Sequence, residues 1–458
     1  MPILTNAKDF IQNEFNNLDF GDKRLNKRVL KVAATLNSSP ASSIPGMTSG
    51  NDGQLKGIYR FFRNEKVDDK KILQTHALNT IERMQAYKGK ILLICDSTFV
   101  SPAKKMKGLL TRGKGKENCV RVHYCIATSE DGKHHFGILD FNILSDPISK
   151  RHPSLRNESD IWIFTAENCI NLIRSSDNSD KLLSRCIFIA DREGDEFELM
   201  DFLATNNLDF IIRSKHDRKI LFNNEELNLS EVEHLSAEHG AAYEVKTRID
   251  GDITKVKVKR SVLRNISVTP PASIISKNQK YSNLNLNVVM VKEVSNAKDP
   301  LVWRLLTREQ VNNAIESEEV VVAYTVRWCI EEVNKAAKTG VRVEERQFTE
   351  LDHYVSFLAM AFVIAWRMVA LRTMSEVSPA TPIKDAFTED EVGYMNAQAK
   401  KLKLPMKNVN DAIMFIAKLG GFTNRYKQPG WQILWQGWMK FYERVEGYLV
   451  AKEEFGGN

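Results

Sequence analysis

Two strings end an apolar run in an acid: ILLICD, closing at Asp96, and CIFIAD, closing at Asp191. Continuous apolar runs of this kind suit strands buried on both faces. A carboxylate is costly inside such a sheet unless it is paired, hydrogen-bonded or bound to a cation. At a strand's C-terminal end it projects into the crevice where open α/β sheets gather their sites. For either aspartate alone, an ordinary loop or cap role is the simpler reading. Together they suggest a divalent-metal site that lacks a third ligand.

The stretch Tyr324–Lys338 offers that ligand. At about 100° per residue, Tyr324, Arg327, Glu331, Lys335 and Lys338 fall on one helix face within roughly 80°. Val326, Cys329, Ile330, Val333 and Ala336 cover the opposite side. Glu332 is turned away from the group. A solvated ion-pair face is the ordinary reading of such a stripe. Aimed at a metal crevice, it becomes a phosphate clamp with a carboxylate in its middle. All-oxygen ligands favour Mg²⁺ or Mn²⁺ over zinc. Cys119, His123 and Cys125 lie close together, but alternating strand geometry and the missing fourth ligand argue against zinc there.

The elements that must position these groups are legible in outline. Strand candidates are Ile91–Cys95, Val120–Ala127, Phe136–Leu144, Cys186–Ala190 and Phe210–Arg213, with helices near 160–174 and 195–204. That order predicts an α/β fold, a mixed sheet with helices on its faces. From about 217 to 320 the rhythm changes. Thr254–Val262, Leu284–Val291 and Leu301–Leu306 read as antiparallel strands. Helices resume at Tyr324 and run through the apolar segment Val355–Leu371, then beyond a Pro-containing linker at Ser378–Pro382.

The N-terminal segment reads as a small helical module. Leu25, Val29, Val32 and Leu36 form one buried stripe, with Lys23, Arg24, Lys27, Arg28 and Lys31 on the complementary face. A second stripe, Leu55, Ile58, Tyr59 and Phe62, is lined by Lys56, Arg60 and Arg63. One basic stripe is usually a solvated face; two in one module point to phosphate contact. Lys104, Lys105, Lys107, Arg112, Lys114 and Lys116 form a basic loop that reads equally as a solvated loop or a second DNA surface. Arg213 and Lys215 follow a strand near the expected crevice.

Composition narrows the class. The chain has 458 residues, 43% hydrophobic and 27% charged, with a net charge of +7. This argues for a packed protein of several units and against disorder. The apolar run Phe357–Trp366 is too short to cross a bilayer, and the first residues lack a signal-peptide layout. A cytoplasmic protein working on the chromosome, with no membrane partner, is the expectation. Six scattered cysteines without a CxxC pair fit reduced thiols.

The spacing Tyr324-x2-Arg327-x3-Glu331-x6-Lys338 matches the YREK signature, and the chain resembles the insertion-sequence-four family of DDE transposases. Asp96-Ser97-Thr98 and Asp191-Arg192-Glu193 resemble that family's two aspartate motifs. GIYRFFRN, IIRSKHDRK, PLVWRLLT and KLGGF extend the likeness over essentially the whole chain. Val326 and Cys329 stand where more polar residues are expected, on the helix side facing away from the chemistry.

The resemblance implies an RNase H-like catalytic domain at 71–372 with an antiparallel β insertion at about 217–320. It would lie between a DNA-binding domain at 1–70 and a helical dimerisation domain at 373–458. Asp96, Asp191 and Glu331 would hold two Mg²⁺ ions per site, with Mn²⁺ as a substitute. Tyr324, Arg327, Lys335 and Lys338 would grip the phosphate beside a transposon end. Trp303 would stack on a flipped base, whereas from the sequence pattern alone it reads as a sheet-core residue. The implied activity is cut-and-paste transposition through a hairpin intermediate, with strand transfer into target DNA by a homodimer holding two ends. The alternatives are a dimeric DNA-binding regulator without cleavage activity and a plain metal nuclease. The C-terminal stripe Trp431, Trp435, Trp438, Tyr442, Val445 and Leu449 reads either as packing within the tail or as the dimer surface.

Overall fold

Every residue of Ile91–Cys95 is buried, and the alternation of strand side chains divides them between two apolar layers. Leu92 and Ile94 face one layer; Ile91, Leu93 and Cys95 face the other. Such a strand needs cover on both sides, and the computed structural model provides it. The structure describes residues 7–455 apart from 49, 114–116, 223, 250–251, 276–280, 296, 299 and 424–428.

The strand is β1 (Ile91–Val100). Next come β2 (Leu110–Arg112), β3 (Glu117–Ser129) and β4 (His135–Leu144). β3 runs antiparallel to β1 and carries β2 and β4 on its other edge. β5 (Cys186–Ala190) and β6 (Asp209–Arg213) add parallel strands on the far side of β1. The chain then forms β7 (Lys219–Phe222), β8 (Glu225–Asn228), β9 (Tyr243–Ile249), β10 (Asp252–Val268), β11 (Leu284–Glu293) and β12 (Val302–Thr307). β9 to β12 pair antiparallel in sequence order, and β12 returns to lie against β6. In β10, Lys255, Lys257 and Lys259 are exposed while Val256 and Val258 are buried.

Helices flank the sheet. The N-terminal group is α1 (Ala7–Phe15), α2 (Lys23–Ser38), α3 (Asp52–Phe62) and α4 (Asp69–Ala86). In α2 the stripe Leu25, Val29, Val32 and Leu36 is buried, each side chain stabilising by about 1.5–3 kcal/mol. Asp22 starts that helix by accepting from the Arg24 amide, so its first turn has a cap. α5 (Asp160–Arg174) and α6 (Phe197–Thr205) cover the face reached by Cys95.

Later helices are α7 (Ala314–Val326), α8 (Trp328–Lys335), α9 (Leu351–Val377), α10 (Glu389–Leu402), α11 (Val409–Leu419) and α12 (Trp431–Phe455). α9 is the core of the second face. Among the described residues it is the one helix long and apolar enough to cross a membrane, yet its apolar window is entirely buried within the protein.

The C-terminal stripe is not a free surface. Trp431, Trp435, Trp438, Tyr442 and Val445 are all buried, and Leu449 is half-buried. Trp435 lies against Gly340, where an added Cβ would fall 1.7 Å from the indole. The aromatic stripe is spent on holding α12 to the chain's own core.

Candidate active site

The structure corrects the placement of Asp96. β1 does not stop there, because β3 pairs with it in unbroken register through Val100 opposite Val120. The parallel partner stops sooner: the last β1–β5 pair is Ile94 with Ile189. Asp96 therefore sits in mid-strand, yet beyond the reach of β5. Asp191 follows β5 directly and caps the next turn, its Oδ1 accepting from the Glu193 amide at 2.8 Å. Both aspartates thus stand at the place where the parallel pairing ends.

The helix carrying Glu331 also departs from expectation. It is not one regular helix from Tyr324 to Lys338. α7 ends at Val326, α8 begins after Arg327, and a π turn spans Ala336–Gly340. The wide turn brings the chain against Trp435 at Gly340, and regular angular spacing fails from there on. Within α8 the geometry is pinned from below. Tyr124, the cross-strand neighbour of Asp96, shares its one hydroxyl proton between Asn334 Oδ1 at 2.8 Å and Ile330 O at 3.1 Å. Glu331 is thereby held over the strand that carries Asp96.

Arg327 lies at the centre. Its Nη1 donates to Asp96 Oδ2 at 2.8 Å and stands 3.5 Å from Glu331 Oε1. The other Asp96 oxygen accepts from the Ser97 amide at 2.7 Å. Burial, with Asp191 and Glu331 as like-charged neighbours, pushes the Asp96 carboxyl up to about 7 against the pull of Arg327. Burial opposes the Arg327 charge, but Asp96, Tyr324, Asp191 and Glu331 together hold its guanidinium above the ordinary range. Three carboxylates from three elements share one field with the Arg327 guanidinium among them. The donor set fits a hard divalent cation, although no three acidic, His or Cys side chains among the described residues stand in ligating array as placed.

The surrounding candidates divide in two. Tyr324 is buried, its ring edge-on to Trp303 at 5.2 Å and 66°. Arg213 lies over the Trp303 ring at 6.0 Å and donates to Val302 O. Trp303 is therefore a packed core residue beside the crevice, as its sequence pattern alone indicated. Lys335 and Lys215 are exposed, and Lys338 is half-buried. In the N-terminal module, Lys23, Arg24, Lys27, Arg28, Lys31 and Arg60 are all exposed. The Arg28 guanidinium of α2 reaches over Gly57 of α3, so the two basic helices lie side by side. Lys104, Lys105, Lys107 and Arg112 are exposed, with Arg112 over Phe99; Lys114 and Lys116 lie outside the described residues.

Several positioning groups had escaped the sequence reading. Buried Arg121 on β3 donates to Ser97 Oγ at 2.9 Å, Glu158 at 3.1 Å and Glu193 at 2.9 Å. It clamps the turn after Asp191 to the strand of Asp96. Asp195, fully buried, accepts from the Lys215 and His216 amides and pairs with Arg218 at 2.5 Å, so it shapes the loop that presents Lys215. An arginine inside the apolar run VRVHY was the available signal for Arg121.

Comparison with known families decides the matter. A model described as transposase DDE domain matches residues 87–367, and one described as transposase DNA-binding matches residues 7–67. The chain belongs to the DDE transposase family. The first match takes in Asp96, Asp191 and Glu331, and the second takes in both exposed basic stripes. This transposase is thus a DNA-binding enzyme with an α/β, RNase H-like catalytic core of a class that uses divalent metal ions.

Proposed function

We propose that this transposase works by a cut-and-paste route of the YREK-signature, insertion-sequence-four type. Asp96, Asp191 and Glu331 are the catalytic carboxylates, and the convergence of Asp96 and Glu331 on Arg327, with Asp191 in the same field, carries the reading. Divalent ions bound there, two of Mg²⁺ or Mn²⁺, would supply an activated oxygen nucleophile and stabilise the leaving oxygen in an in-line displacement. The protein's own groups do the rest. Tyr124 and Arg121 hold the elements bearing Glu331 and Asp191 in register with Asp96. Tyr324, Arg327, Lys335 and Lys338 bind the phosphate beside the transposon end, with Arg213 and Lys215 extending the contact. The stripes Lys23–Lys31 and Arg60 bind the end duplex, giving affinity and register.

Hydrolysis of one strand frees a 3′-hydroxyl, which attacks the opposite strand to form a hairpin; opening and transfer into target DNA follow. Trp303 stacks on the flipped base, which requires its ring to exchange Tyr324 or Arg213 for the base. Two subunits, each holding one end, work as a dimer on the chromosome in the bacterial cytoplasm.

The test is product analysis on DNA bearing the repeats that flank the protein's own gene. Mg²⁺-dependent nicks, hairpin ends and joined products are expected, with Trp303→Ala retaining nicks but losing hairpins. Tight binding without any metal-dependent product would make the chain a regulator, and cleavage without hairpins or joining would make it a nuclease.

A further inference from the structure

We infer that Arg327 is a displaceable internal cation that keeps divalent ions off Asp96 until a DNA phosphate draws it away. The inference rests on the proposed metal role of Asp96 and Glu331. Both Asp96 oxygens are engaged, Oδ1 by the Ser97 amide and Oδ2 by Arg327 Nη1. The same guanidinium nitrogen stands 3.5 Å from Glu331 Oε1. An ion held by Asp96 and Glu331 would compete with this guanidinium for the same carboxylates. Arginine cannot leave by losing its proton, so it must move as a charged group.

What can move it is also defined. A guanidinium exchanges a carboxylate for a phosphate readily, because both accept its parallel N–H pair. Arg327 lies at the junction between α7 and α8 rather than within either helix, with its side chain 16% exposed at the crevice. Tyr324 and Arg213 are its electrostatic neighbours, both packed on Trp303. A DNA phosphate arriving there would take the guanidinium and release Asp96 Oδ2 for the ion. Metal binding and DNA binding then favour one another reciprocally. The arrangement restrains cleavage by protein that has no end bound.

The experiment is Mn²⁺ binding, read from the electron paramagnetic resonance signal of free Mn²⁺, with and without an uncleavable end duplex. Wild type is expected to bind Mn²⁺ weakly alone and about tenfold or more tightly with duplex. Arg327→Gln is expected to bind about tenfold more tightly than wild type without DNA and to gain little from it. Lys133→Gln removes one positive charge from a surface turn packed against Val326 and Cys329, without touching Asp96 or the phosphate-binding groups. It is expected to stay within about twofold of wild type, which separates displacement from a general change of field.

Equal Mn²⁺ affinity for DNA-free wild type and Arg327→Gln would overturn the inference while leaving the metal site intact. So would an equal gain in Lys133→Gln. No Mn²⁺ binding by wild type in either state would overturn the underlying site reading as well. If Arg327→Gln does not fold, the wild-type comparison decides alone, and no DNA-dependent gain would contradict the inference.

Discussion

Two buried carboxylates in this transposase have opposite fates. Glu14 on α1 accepts from Arg83 Nη1 at 2.6 Å and is bonded to His76 Nδ1 at 2.5 Å. His76 Nε2 accepts from the Ile138 amide, which leaves Nδ1 as the donor to Glu14. Burial raises the Glu14 carboxyl, but Arg83 and His76 outweigh it and hold it down near about 2. Asp96 is also buried, yet it is pushed up to about 7, because Asp191 and Glu331 add like charge to its desolvation. Burial is common to both; the balance of neighbours differs. Glu14 is matched within the fold and serves stability, whereas the Asp96 group carries more negative charge than the fold itself neutralises. Such a deficit is a reason to bind a cation.

The largest contrast is expected from removing one carboxylate in each region. Asp191→Asn should lower Mg²⁺-dependent strand cleavage by about 10³-fold or more, with the melting temperature unchanged or raised. A melt that falls by many degrees together with activity would erase the distinction. Glu14→Gln should do the reverse, costing about 3 kcal/mol in urea unfolding because Arg83 and buried His76 lose the carboxylate charge they share. Cleavage per folded molecule should survive.

The pH dependence sharpens the same pair. Glu14 has its folded pKa depressed from 4.5 to about 2, so its contribution of about 3 kcal/mol is complete above pH 4.5. It should fade as the pH falls toward 2. The stability gap between wild type and Glu14→Gln should therefore narrow over that window, and a gap constant from pH 6 to 3 would contradict the assignment.

A smaller effect is expected at the clamp. Arg121→Ala should slow cleavage by about ten- to a hundredfold through misplacement of the Asp191 turn, with end binding in a gel-shift titration unchanged. The smallest belongs to the basic module. Lys23→Ala with Lys27→Ala should weaken end binding and reduce the salt slope by about one to two, while cleavage at saturating protein stays near wild type.

How much of this was legible in the sequence depends on whether a contact is local. The apolar runs before Asp96 and Asp191 mark strands because their burial is a property of five adjacent residues. The exposed stripe on α2 follows from helical spacing for the same reason. The end of β1 was not legible, since its continuation to Val100 depends on β3, a partner some distance along the chain. The π turn answers to packing of Gly340 against Trp435, which no local pattern encodes. Arg121, Tyr124 and Asn334 act through partners on other elements, and so escaped notice. The C-terminal aromatic stripe had two readings, and only its neighbours in space could choose packing.

The most direct measurement replaces one proposed ligand by a softer one. Asp191→Cys should be inactive in strand cleavage with Mg²⁺, which binds thiolate poorly, and regain activity with Mn²⁺, which accepts sulfur more readily. Asp191→Ala should be inactive with both. Rescue by Mn²⁺ confined to the cysteine variant is the result this account predicts. Cleavage by Asp191→Cys at the wild-type rate in Mg²⁺, or equal Mn²⁺ rescue of Asp191→Ala, would contradict the claim that Asp191 holds the ion.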